Sequence, residues 1–249
     1  MLPLTATHTE QDSPAFEQSK RKGNETNLTW LDRHLEILEG EDGADGQTYL
    51  VLLGGREKSH FRLRVAQSHM RHDMSPSHWS HVAMLWGSGR TEKGALREIS
   101  LEPTDGFRFP PSDNGIQTGK LAAYRSRNLF PNIAVLRVPV ALQDMKTAMR
   151  RFRTQRDSID AVELIVLWLS YAWGVGRTLN PLLDGYGIPS AAFVETLSAA
   201  SGYDLTPGLE SRASSPEAIW QAAKWWHEWY AAGERAPHRG FWHAEHFLG

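Results

Sequence analysis

The sequence predicts an α+β fold in which helices pack against a small, mainly antiparallel sheet. Four short apolar segments, near residues 49, 82, 97 and 134, have the length and composition of strands. Longer segments after them carry apolar residues at helical spacing. With 249 residues, 41% of them hydrophobic and 22% charged, the chain is large enough to bury a sizeable core. We therefore predict one α+β domain over residues 29–249.

The first 28 residues differ from this pattern. They are polar, rich in Thr, Glu, Gln, Lys and Asn, and have no apolar periodicity, which is typical of a flexible tail. Trp30, Leu31, Leu35 and Leu38 then recur at helical spacing and predict a short helix. A glycine-rich loop and a buried strand at 49–53 follow.

Two further predicted strands carry a histidine and two glutamates that could take part in catalysis. Alternation over 81–86 places His81 at the start of a strand. In the next strand, 96–102, Glu98 and Glu102 share a face. A carboxylate on a neighbouring strand can hold a histidine in one tautomer, as in a nucleophile, base and orienter set. The alternative is an exposed strand whose acidic residues face water.

The next segments predict a fourth strand and two helices. The strand begins at Asn132 and is predicted to end at Pro139. The amphipathic helix after it has one basic side, for which we expect a solvated face rather than a site for an acidic partner or a phosphate. That side carries Lys146, Arg150, Arg151, Arg153 and Arg156. A strongly apolar helix from Asp157 to Gly174 is predicted to be the central buried helix.

A glycine-rich turn then delivers Ser190 to the start of an apolar helix. Gly185 and Gly187 permit backbone angles closed to other residues, and Pro189 fixes its own φ. A side chain at this helix start feels the positive end of the helix dipole, which favours a thiolate, an alkoxide or a developing oxyanion. The simpler alternative is that Ser190 only caps the helix.

Composition excludes several classes of function. A net charge of -2 gives no general attraction to nucleic acid or to an anionic membrane. The absence of cysteine excludes disulfides, thiolate metal ligands and a cysteine nucleophile. No stretch approaches the roughly 18 apolar residues of a membrane span, and the amino terminus lacks the pattern of a signal peptide. We therefore expect a cytoplasmic protein without a membrane span.

Five histidines lie between residues 59 and 81, so a zinc site has to be considered. They are His60, His69, His72, His78 and His81. Two pairs have the i, i+3 spacing, but neither forms a His-Glu-x-x-His motif and Pro76 interrupts the segment. We predict no metal ligand and no cofactor; a zinc hydrolase remains a distant alternative.

The carboxyl-terminal part predicts a helix and an aromatic surface. Ser215, Pro216 and Glu217 form a helix start with a cap, a first-position proline and an acid in the first turn. Beyond it lie the tryptophans Trp225, Trp226, Trp229 and Trp242. Aromatic residues at this spacing favour packing in a core or at a protein interface.

The order of three motifs resembles the circularly permuted NlpC-type papain-like family. These are Ser-His-Val-Ala at 80–83, Glu-Pro-x-x-Gly-Phe at 102–107 and Ser-Ala-Ala-Phe-Val at 190–194, within a resemblance that spans about 48–225. The resemblance implies a papain-like fold and a papain-like site. It implies His81 as the catalytic histidine, Glu102 as the orienting residue, with Glu98 as the second choice, and Ser190 at the nucleophile position.

The family has cysteine where this chain has Ser190. A serine hydroxyl stays protonated and needs a base aligned during attack, whereas a thiol is easily ionised beside an imidazole. Three explanations are open: a pseudoenzyme that binds a protein or peptide, an active amidase, peptidase or acyltransferase that uses serine, or a cysteine hydrolase with the cysteine replaced. We favour the binding module, with the partner in the cleft or at the Trp-rich helix. Substrate, partner and oligomeric state are not predicted.

Overall fold

The computed structural model describes residues 16–41, 46–86, 94–102, 112–155, 159–230 and 238–245. The strands are β1 (Phe16–Gln18), β2 (Gln47–Gly54), β3 (His81–Trp86), β4 (Ala95–Glu98), β5 (Gln117–Lys120), β6 (Asn132–Ala141) and β7 (Arg239–His243). The helices are α1 (Asn27–Glu39), α2 (Lys58–Ala66), α3 (Leu142–Phe152), α4 (Ala161–Trp173), α5 (Pro189–Ala200) and α6 (Pro216–Tyr230).

All seven of these strands form one sheet in the order β1-β7-β6-β2-β3-β4-β5. β1 and β7 are parallel, and every other described pair is antiparallel. The α+β class with a mainly antiparallel sheet is therefore confirmed. The four strands predicted from the sequence are neighbours in the middle of this sheet. The three that were not predicted are short and lie at its sides.

Helices and loops cover both faces of the sheet. Leu50 and Leu52 of β2 face a core built with side chains of α3, α4, α5 and α6. Val51 and Leu53, on the opposite face, pack into a second core with α1. Because both faces are buried, the β2 sequence is a continuous apolar run rather than an alternating one.

The second half of the predicted tail is part of the fold. Residues 1–15 of that tail lie outside the described residues. Phe16 is only 7% exposed, and its ring packs edge-on against Trp220 at 5.6 Å between centroids. Its strand pairs with Gly240, near the other end of the chain. Periodicity cannot reveal a three-residue strand whose partner lies so far away in sequence.

Two predicted strand ends differ from the structure. β6 passes through Pro139 to Ala141, because the register shifts between Gln47 and Thr48 and the resulting irregularity accommodates the proline. β4 ends at Glu98, so Glu102 follows the strand instead of sharing a strand face with Glu98. The central helix α4 begins at Ala161, capped by the Asp160 side chain, while 156–158 lie outside the described residues.

We predict that Phe16→Ala lowers the free energy of unfolding by about 3 kcal/mol, because a buried aromatic side chain is removed from a packed core. Urea denaturation measures the change. Glu17→Ala, at the neighbouring exposed position of β1, is the control and should alter stability by less than about 0.5 kcal/mol. Equal effects of the two substitutions would show that residues 16–18 do not pack as described.

Candidate functional site

The three residues assigned by the resemblance line one small pocket at an end of the sheet. Ser190, His81 and Glu102 lie there, together with His60 and Ser80. The pocket forms where β3 begins, where the chain leaves β4 and where α5 begins. Its volume is about 20 Å³, which is close to the space that one water molecule occupies. The three residues are thus brought together around a pocket with little free volume.

His81 is held by a buried carboxylate. In the antiparallel pair of β3 and β4, Met84 lies opposite Arg97, so Glu98 comes near the start of β3, diagonally across from His81. His81 Nε2 is 2.7 Å from Glu98 Oε2, and the Tyr124 hydroxyl donates to the same oxygen at 2.7 Å. The rings of His81 and Tyr124 stack with centroids 5.8 Å apart. These contacts fix the position and orientation of the imidazole.

The residues around Glu98 leave little space beside its side chain. Its side chain is fully buried, and a Cβ on Gly119 of the neighbouring strand would collide with Glu98 Oε1. Burial, and then the charge of Glu98, raise the pKa of Tyr124 well above its usual range. The phenol therefore stays protonated and acts as a hydrogen-bond donor to the carboxylate.

The preferred orienting residue, Glu102, lies beside a different histidine. Glu102 Oε1 is 3.3 Å from His60 Nε2, at ion-pair distance but without an aligned hydrogen bond, and Ser59 Oγ donates to it at 3.3 Å. The imidazole of His60 holds the pKa of Glu102 below its usual value, although burial opposes this. The carboxylate on His81 is Glu98, which the sequence offered only as the second choice.

The sequence singled out His60 only as one of five histidines, yet it shares the pocket with His81. His60 Nδ1 lies 2.9 Å from Ser80 Oγ. The Ser80 hydroxyl donates to the Leu53 carbonyl and accepts from the Gly55 amide, both at 3.2 Å. Ser80 thus contacts His60, Leu53 and Gly55 at once and holds the His60 ring in place. The glycine pair at 54–55 is the sequence signal for this close packing.

Ser190 does not cap its helix. The cap position of α5 is Ile188, without a side-chain cap, and Ser190 is the second helical residue. Its hydroxyl oxygen accepts from the Val82 amide at 3.4 Å and is almost fully buried, since the residue is 1% exposed. Among the described contacts, no hydrogen bond joins Ser190 to His81. The amide is a donor only and cannot take the hydroxyl proton.

The corner before Ser190 is rigidly held. The amides of Gly187 and Ile188 donate to the carbonyls of Arg212 and Ser214 at 2.7 and 2.9 Å. Trp168 Nε1 donates to the Gly187 carbonyl at 2.7 Å. A Cβ on Gly187 would collide with the Ser214 carbonyl, so close approach, rather than an unusual φ, is what requires glycine here.

Another residue of α5 also carries a perturbed carboxyl group. Burial, and then the neighbouring Asp204, raise the pKa of Glu195 to about 7. Glu195 Oε1 accepts the Leu205 amide at 3.1 Å and ties the helix to the loop that follows it.

A larger cleft adjoins the small pocket. It has a volume of about 350 Å³, within the usual range of ligand sites, and shares His60, Ser100 and Glu102 with the Ser190 pocket. Its remaining lining combines acidic, basic and apolar groups: Glu57, Thr118, Lys120, Ala123, Tyr124, Leu129 and Phe130. This cleft offers the room for a ligand that the Ser190 pocket lacks.

The predicted aromatic surface is only partly exposed. Trp242 lies in β7 and packs against Trp220, with ring centroids 5.9 Å apart. Trp225 is the most open of the described tryptophans in this region and stacks edge-on with Trp226. The side chain of Trp229 lies outside the described residues.

Searches with the whole chain identify no relative. No family model, no curated protein and no solved structure matches it. Within the described ranges, no three His, Asp or Glu side chains are grouped so that they could hold a metal ion. No helix in the same ranges has both the length and the apolar character needed to cross a membrane.

We predict that Tyr124→Phe lowers the free energy of unfolding by about 1.5–3 kcal/mol, because it removes a hydrogen bond to a buried carboxylate. Denaturant unfolding measures the loss. Tyr186→Phe, at a half-exposed tyrosine, is the matched control and should change stability by less than about 0.5 kcal/mol. In a Glu98→Gln background the Tyr124→Phe effect should shrink, since the charge is gone. An unchanged effect there would contradict the assigned contact.

Proposed function

We propose that this protein is a catalytically impaired homologue of the papain-like, NlpC-type hydrolases that serves as a binding module for a protein or peptide. The observation that carries the proposal is the environment of the Ser190 hydroxyl. Its hydroxyl is buried, its hydrogen bond comes from the Val82 amide, and its pocket holds about 20 Å³. The motif resemblance supplies the family, and the His81–Glu98 pair is compatible with it.

Acyl transfer needs more than this geometry provides. The nucleophilic oxygen has to come within about 3–3.5 Å of the substrate carbonyl carbon and pass its proton to a base. A pocket of about 20 Å³ leaves no space for an amide or ester group beside Ser190. A serine hydroxyl also has a far higher pKa than a thiol, so it gains little from the helix N-terminus alone. Turnover would require both the pocket and Ser190 to rearrange.

The cleft of about 350 Å³ is the proposed ligand site. Glu57 and Glu102 give it two carboxylates against the single ammonium of Lys120. Leu129 and Phe130 supply apolar surface next to these charges. Such a lining suits a peptide segment that carries a basic group beside an apolar side chain.

One observation favours the second candidate, an active amidase, peptidase or acyltransferase. Glu98 occupies Nε2 of His81, which leaves Nδ1 as the ring nitrogen available to a nucleophile. In this candidate Ser190 is the nucleophile, His81 the base and Glu98 the orienting residue. The Ser190 side chain would have to leave the Val82 amide and turn toward His81.

Ser190→Cys separates the two candidates, because the chain has no other cysteine and a thiol reagent then reports on this position alone. We expect slow alkylation by iodoacetamide that rises only near or above about pH 8.5, as for a thiol without an imidazolium partner. The rate is measured between about pH 5 and 9. Ser211→Cys, in a partly exposed turn, is the control for reagent access.

Rapid labelling below about pH 7 that disappears when His81→Ala is added would overturn the proposal. It would show a thiolate stabilised by His81, and hence a site poised for papain-like chemistry.

A further inference from the structure

A second, basic pocket lies between the sheet and α3. It has a volume of about 340 Å³ and shares no lining residue with the Ser190 pocket. Four of its lining side chains are cationic: Arg97 on β4 and Lys146, Arg150 and Arg153 on or just after α3. Asp113 is the only carboxylate among the described residues that line it. The basic helix side predicted from the sequence therefore closes a pocket instead of only facing solvent.

Among the described lining residues, positive charge outnumbers negative charge. Asp113 is engaged by Arg153, with 2.7 Å between Oδ2 and the guanidinium nitrogen. In the described part of the lining, this pair leaves Arg97, Lys146 and Arg150 without a carboxylate of their own. Burial, and then the charge of Arg153, lower the pKa of Arg97. This direction agrees with a site where cations repel each other.

Trp86 and a threonine position two of these cations. The guanidinium carbon of Arg97 lies 4.8 Å from the centroid of the Trp86 ring, and Lys146 Nζ lies 5.0 Å from it. Arg97 also donates to Thr118 Oγ1 at 2.7 Å. An aromatic ring stabilises cations without neutralising them, so their charge remains available to a ligand.

The turn at the pocket rim has an unusual backbone conformation. Asp113 and Asn114 have φ of 54° and 53°, in the left-handed region that costs energy outside glycine. Asn114 is fully buried and maintains this turn: its amide donates to the carbonyls of Phe152 and Ile159 at 3.3 and 3.0 Å. The Ala161 amide donates to Asn114 Oδ1 at 3.1 Å. The result is that Asp113 is held against Arg153.

We propose that this pocket binds a small, multiply charged anion of the phosphate-ester class. A phosphate monoester carries about -1.5 to -2 charges and three acceptor oxygens, which match several cations at once. Guanidinium groups bind such oxygens in pairs. A ligand with only one carboxylate group would leave most of the positive charge of Arg97, Lys146 and Arg150 uncompensated. This proposal does not rest on the function proposed for the Ser190 region, although Thr118 lines both this pocket and the cleft beside the Ser190 pocket.

Calorimetric titration of the full chain with inorganic pyrophosphate at low ionic strength tests the proposal. We expect saturable binding by the parent protein. Arg150→Gln should weaken it about tenfold or more, the value of a hydrogen-bonded charge contact. Arg151→Gln is the matched control, because Arg151 is the next exposed residue of α3 and does not line the pocket.

Asp113→Asn gives a test of opposite sign. It removes the only described carboxylate of the lining and releases Arg153, while asparagine tolerates the left-handed turn, so binding should tighten several-fold. Three results would overturn the proposal. The first is that the parent shows no saturable binding. The second is that Arg150→Gln and Arg151→Gln weaken binding equally. The third is that Asp113→Asn binds more weakly than the parent although its thermal unfolding shows that it is folded.

Discussion

The buried carboxylate of Glu98 is the constraint on which the rest of the site depends. An ionised carboxylate without water is strongly unfavourable unless cationic or hydrogen-bonding partners surround it. His81 and Tyr124 supply such partners to Glu98 Oε2, whereas Oε1 fills the space beside Gly119 and has no hydrogen-bond partner among the described residues. Three neighbouring strands and the turn that carries Tyr124 are thereby positioned by one side chain.

This dependence gives His81 a structural role whether or not it takes part in a reaction. Removal of the imidazole would leave a fully buried carboxylate with the Tyr124 hydroxyl as its remaining hydrogen-bond donor. A chain that has lost its nucleophile can thus be expected to keep its histidine and its carboxylate for the sake of folding. The Ser190 side chain, by contrast, makes one long hydrogen bond within the described part of the chain, and no buried charge depends on it. The proposed loss of catalysis at Ser190 is compatible with an otherwise complete histidine site.

Much of the sheet could be predicted from the sequence, because β2, β3, β4 and β6 are apolar enough to be recognised locally. β1 and β7 were missed since their pairing joins the two ends of the chain, and only the three-dimensional structure brings Phe16 to Gly240. The short motifs singled out Ser190 and His81 as catalytic residues; the structure brings both to one pocket, and their catalytic role stays a prediction. The sequence could not show whether Glu98 or Glu102 contacts His81, because it does not reveal where β4 ends. In the structure β4 ends at Glu98, and Glu102, in the irregular segment after it, lies beside His60. Likewise, the role of Asn114 in the basic pocket depends on carbonyls that lie about 40 residues away.

The most direct test of an impaired serine is the reaction of the unmodified protein with a fluorophosphonate, followed by intact-mass spectrometry. A known serine hydrolase in the same mixture confirms that the reagent is active. We expect no adduct on Ser190, because its hydroxyl is buried and its described hydrogen bond is to an amide donor rather than a base. A stoichiometric adduct on Ser190 that is lost in His81→Ala would contradict this expectation and establish an active serine hydrolase.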